Sequence, residues 1–142
     1  MKGFTILEAL LSMTVMLLVV TSLTVYIFQL VRTNEKFSMY SENYRNSAAA
    51  FEIITGEIRS ANHIDPLSSP SRLVLDNASY VIAFDLPGGK VRKTKNSSVS
   101  YLTPDNTVDD MVFSFPAVDS VIITMKPAGY PCFITTEASC RN

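Results

Sequence analysis

The chain has 142 residues, with 12 Lys and Arg against 13 Asp and Glu, one His and two Cys, so it has room for about one domain and carries almost no net charge. These figures exclude a large multidomain enzyme. With 47% hydrophobic and 18% charged residues they also exclude a disordered acidic or basic tail and remove the bulk electrostatic argument for nucleic acid.

The apolar residues are unevenly placed: from Phe4 to Val31 the only charged side chain is Glu8, and every base except Lys2 follows from Arg32 onward. Residues 9 to 31 are 23 uncharged and mostly apolar positions, above the roughly 20 needed to cross a ~30 Å hydrocarbon layer, and a spanning helix is expected. Lys2 before the run and Arg32 and Lys36 after it do not fix orientation by positive charge alone. The run is longer than the roughly 7 to 15 residues of a secretory h-region and lacks a small-residue cleavage site, and no Cys follows it for a lipid anchor. Glu8 sits at its mouth, where an unpaired buried carboxylate would cost several kcal/mol, so it needs a cationic partner or must reach up to the headgroups.

The sequence Gly3-Phe4-Thr5-Ile6-Leu7-Glu8 followed by more than 20 apolar residues resembles the class III leader of type IV pilins and type II secretion pseudopilins. The resemblance covers residues 2 to 31 and implies cleavage after Gly3 by a prepilin peptidase, N-methylation of Phe4, and neutralisation of Glu8 by the α-ammonium of Phe4 on a neighbouring subunit. It implies a leader at 1–3, a transmembrane and filament-core helix at 4–31 and an extracytoplasmic head at 32–142. Many major pilins kink this helix with a proline, whereas no Pro precedes Pro66 here, so a straighter helix and a minor subunit are expected.

After Arg32 the pattern becomes amphipathic, with Phe37, Tyr44, Phe51 and Ile58 seven apart and Tyr40 and Ala48 on the same face. One helix from about 4 to 61, roughly 85 Å long, is expected, its stripe packing on the chain's own sheet rather than forming a coiled-coil seam broken by Gly56. Runs rich in Val, Ile, Tyr and Phe follow at 72–75, 80–86, 90–95, 99–102, 111–115 and 121–126, separated by turn residues such as Pro87-Gly88-Gly89 and Asn96-Ser97-Ser98. They read as an antiparallel meander forming a single sheet. The fold class expected is thus α+β, a long N-terminal helix whose second half packs on a small antiparallel sheet. Glu57 to Ala61, the 80–86 run and Leu102-Thr103 before the 111–115 run resemble the order in J-type minor pseudopilins and W-type minor pilins.

Cys132 and Cys140 enclose seven residues, a spacing that suits a local disulfide better than a metal site, because His63 is the only histidine; two free thiols are the alternative in a reducing compartment. Asp105, Asp109 and Asp110 share a loop but lack the regular ligand spacing of a Ca²⁺ loop. Lys90, Arg92, Lys93 and Lys95 form one basic patch that could touch DNA phosphates or serve as a solvated edge strand. There is no Gly-rich phosphate loop, no His/Cys/Asp cluster and no Gly-x-Ser-x-Gly turn. The expectation is a non-enzymatic subunit without cofactor or metal, made at the inner membrane, whose partners are prepilin peptidase, an assembly platform, the bilayer and other subunits. A single-pass anchored binding domain and a DNA-binding or adhesive tip pilin are the competing readings.

Overall fold

A computed structural model of the protein describes residues 5–77 and 79–141. The chain begins with α1, Ile6–Ser60. No proline interrupts it, and Gly56 is its only glycine. Its middle is rich in Val, Thr and Ile, which are mediocre helix formers in water but acceptable in lipid, where the helix satisfies every backbone group internally. The hydroxyls of Thr14, Thr21, Ser22, Thr24 and Thr33 each donate to a carbonyl three or four residues earlier, so these five polar groups are satisfied within the helix.

By its contacts the chain divides into one compact unit ending at Ser38 and another starting at Met39. In the first unit every described residue is exposed. In the second, the helix buries Ser47, Ala50, Phe51, Ile54 and Ile58, steps of three and four that trace one face. Only Phe51 and Ile58 of the expected seven-residue stripe belong to that face. Phe37 is 67% exposed and Tyr44 44%, so the buried stripe starts at Ser47, nearly three turns later than the full stripe required. Ala61 follows the last turn, its N–H bonded to the Glu57 carbonyl at 3.0 Å.

Eight strands follow: β1 His63–Ile64, β2 Arg72–Asn77, β3 Tyr80–Asp85, β4 Arg92–Lys95, β5 Ser98–Tyr101, β6 Val108–Ala117, β7 Ser120–Pro127 and β8 Ile134–Ser139. They make two antiparallel meanders, a five-stranded sheet in the order β1-β2-β3-β4-β5 and a three-stranded sheet in the order β6-β7-β8. The α+β layout holds, and the single expected sheet is corrected to two. The link after β5 is not a hairpin. Residues 102–107 contain Pro104 and a left-handed Asn106 (φ 54°), and the chain leaves the first sheet there. By contrast β4 and β5 are joined by Asn96 and Ser97, both with positive φ, the two-residue turn whose twist matches a hairpin.

Register explains the core. Leu73 pairs with Phe84 and Leu75 with Ile82, which puts four large apolar side chains on one face of the first sheet. In the second, Met111 pairs with Met125 and Phe113 with Ile123. Together with Ala50, Phe51, Ile54 and Ile58 of the helix these form one apolar core.

Candidate functional site

Gly3 and Phe4, expected at a processing site, lie outside the described residues. Glu8 lies in the first turn of α1 and is exposed. Its N–H donates to the Thr5 carbonyl at 3.0 Å and lies 3.4 Å from Thr5 Oγ1. Thr5-Ile6-Leu7-Glu8 therefore has the Thr-x-x-Glu order of a capping box, with Thr5 as N-cap and Glu8 three residues on. A carboxylate in the first turn also meets the positive end of the helix dipole, worth roughly 0.3–1 kcal/mol at an exposed position. These local reasons for an acid at position 8 need no second subunit. The signal was present in the sequence and went unused.

From Ile6 to Val31 the helix presents large apolar side chains on all sides, among them Leu17 at 65% and Phe28 at 64% exposure. A contiguous apolar surface of this extent is not maintained in water. The helix is long and apolar enough to cross a membrane. Its all-round apolarity suits lipid or neighbouring helices equally, because neither leaves a polar stripe unmatched.

Each of the four cations of the basic patch is engaged. Lys90 pairs with Asp105, whose carboxylate holds the ammonium above its ordinary pKa. Arg92 grips Asp85 with two nitrogens, Nε reaching Oδ1 at 2.7 Å, and Asp85 raises its pKa further. Lys93 pairs with Glu57 of α1, tying β4 to the helix. Lys95 Nζ stands 3.6 Å over the Tyr80 ring. The register divides them further: Lys93 and Lys95 share a face with Ser100 and Ser98, whereas Arg92 shares the other with Tyr101. They lie on β4, or just before it, while β5 is the outer strand, so the single-patch and edge-strand readings are both corrected. Among the described residues no row of unengaged cations remains there to follow a phosphate backbone.

The expected Cys132–Cys140 disulfide is absent. Both cysteines are free, Cys132 exposed and Cys140 buried. The residues between them are extended as β8, paired in unbroken register with β7 from Ser139 opposite Ser120 to Ile134 opposite Met125. Five steps of strand cover about 17 Å, whereas a disulfide needs Cα atoms within roughly 4.4–6.8 Å. Burial, with a smaller contribution from Asp119, pushes the Cys140 thiol pKa up, which keeps it protonated and unreactive.

The three acids do not share a loop: Asp109 and Asp110 belong to β6, and only Asp105 precedes it. Asp105 pairs with Lys90 and Asp109 lies 3.7 Å from Lys126, and among the described residues no three His, Cys, Asp or Glu side chains gather as a metal site would require. His63 opens β1 with Nε2 3.4 Å from Asp76 Oδ2 on the paired strand. No family model, no curated protein and no solved structure matches the chain.

Proposed function

We infer that this chain is a minor pilin or pseudopilin, a structural and non-enzymatic subunit that begins as a single-pass inner-membrane protein and is drawn into a helical filament of a type IV pilus or type II secretion system. The observation that carries the reading is the coincidence of the Gly3-Phe4-Thr5-Ile6-Leu7-Glu8 order with a helix whose first 26 residues, Ile6 to Val31, are mostly apolar and bury nothing of their own chain. Such a helix requires an apolar environment supplied from outside: lipid before assembly, like helices after it. In this mechanism prepilin peptidase cuts after Gly3, and the new Phe4 ammonium neutralises Glu8 of a neighbour, so burial in the filament costs no isolated charge. Work is supplied by a separate cytoplasmic ATPase acting with the assembly platform, and residues from Met39 onward form the outer head.

The second reading, a plain membrane-anchored domain, is favoured by one specific observation: Thr5 caps the helix and Glu8 stands in its first turn, where the helix dipole and the Thr-x-x-Glu order accommodate an acid without a second subunit. Glu8→Gln separates the two, because glutamine can serve in a capping box but carries no charge. The measurement is the ratio of sheared-filament to membrane-retained protein in cells with a prepilin peptidase, alongside the mass of the mature N-terminus. The pilin reading expects an N-terminus at methylated Phe4 and a fall in incorporation of tenfold or more for Glu8→Gln, with Glu8→Asp between it and wild type. An intact Met1 on filament-borne protein, or equal incorporation of Glu8→Gln and wild type, would refute it.

A further inference from the structure

Between β7 and β8 the chain passes over the helix through Pro127-Ala128-Gly129-Tyr130-Pro131. Asn43 Nδ2 donates to the Ala128 carbonyl at 3.2 Å. The Tyr44 and Tyr130 rings lie 5.3 Å apart, tilted by 33°. Gly129 has φ 77°, and a Cβ built on it would collide with the Tyr40 ring, so this position demands glycine both for conformation and for space. Prolines at both ends stiffen the crossing, and the Ala128 N–H is anchored to the Thr107 carbonyl at 2.8 Å. On the helix, none of residues 40–46 is fully buried, and burial begins at Ser47. The Ser47 hydroxyl is itself buried with no hydrogen-bond partner among the described residues, which makes the first buried position a weak one.

We propose that the β7–β8 crossing is a strap that clips helix residues 40–46 onto the head and can release them while the core stays closed. The core's grip on the helix, through Ala50, Phe51, Ile54 and Ile58, lies wholly beyond the strap. Releasing it undocks seven residues, about 10 Å of helix, and leaves those turns solvated all round and prone to fray. The inference concerns residues from Met39 onward and does not depend on the pilin reading; a plain anchor would carry the same strap.

The test is hydrogen exchange followed by mass spectrometry on the full-length protein in detergent micelles, comparing peptides covering 40–46 and 50–58. Cys140 alkylation serves as a monitor of core opening, because that thiol is buried. In wild type, 40–46 should exchange at least tenfold faster than 50–58. Asn43→Ala and Tyr130→Ser should each speed 40–46 severalfold, and Gly129→Val tenfold or more, with 50–58 and Cys140 unchanged. Equal exchange of the two helix segments in wild type would overturn the proposal. So would variants that leave 40–46 untouched, or variants in which Cys140 becomes reactive in step with it, since strap and core would then open as one unit.

Discussion

The two portions of α1 use the same backbone and opposite chemistry. From Ile6 to Val31 the apolar side chains point in every direction and none is buried; from Ser47 to Ile58 one face, that of Ala50, Phe51, Ile54 and Ile58, is covered. The first portion is specified by composition alone, because any rotation about its axis presents the same surface to lipid or to a like helix. The second is specified by periodicity, because one face must meet two sheets. A helix can thus change from a solvent-like requirement to a jigsaw requirement across the polar turns between Arg32 and Asn46, with no break in the helix.

That contrast is most easily broken in the core. Phe84→Ala removes a ring that is 0% exposed and should destabilise the head by about 3–5 kcal/mol, whereas Leu17→Ala should leave head stability unchanged. Denaturant unfolding followed by tyrosine signals, in a chain without Trp, checks both. Similar losses for the two would mean that the first portion of the helix supports the head after all.

A smaller effect is expected at the ion pair between α1 and β4. Both Lys93 and Glu57 are largely covered, at 17% and 22% side-chain exposure, and Glu57→Gln leaves the ammonium without its counter-charge. The expected cost is about 1–2 kcal/mol, below the figure for a fully buried pair because both groups keep some water. Restoring stability with the double variant Glu57→Gln, Lys93→Met would show that the loss comes from the orphaned charge. At the other end of the helix, Thr5→Ala removes the cap and should lower helix content in the first turns by an amount equivalent to ~1 kcal/mol, with no change in head unfolding.

The smallest effect is one of pH. Burial raises the Cys140 thiol pKa in the folded protein above its ordinary value of 9.0, so the protonated thiol favours the folded state. Its contribution is fully present below that value and is lost as pH climbs through the raised one. Stability should therefore decline more steeply above pH ~9 in wild type than in Cys140→Ala. In the same samples Cys132 should alkylate freely and Cys140 slowly at neutral pH. Recovery of the two cysteines as one linked pair from native protein would overturn the strand assignment between them.

What local pattern could reveal, it revealed. The helix boundaries near Ile6 and Ser60 follow from an apolar run, an unbroken 3.6-residue period and the loss of that period at Asn62 and His63. The strands β2 to β7 stand out as β-branched and aromatic runs between turn residues, within two residues of most observed ends and three at the start of β6. β1 was missed because two residues carry no alternation, and β8 because Ile134-Thr135-Thr136-Glu137-Ala138-Ser139 is half polar and was judged by the cysteines flanking it. At the N-terminus, Thr5 was legible as a cap but was eclipsed by the larger signal around it.

By itself the sequence determined that the chain would have a helix too apolar and too long to be buried in its own domain, followed by short antiparallel strands, because hydropathy, period and turn chemistry are properties of neighbouring residues. Only the tertiary structure decided that the strands divide into two sheets, that the buried helix face begins at Ser47, that β8 holds Cys132 and Cys140 apart, and that acids or an aromatic ring engage all four cations of the basic stretch. Each of these is a choice of partner between one element of the fold and another. Such choices are made by register, packing volume and the cost of leaving a charge or backbone group unpaired, none of which is written within a turn or a strand of the residue concerned.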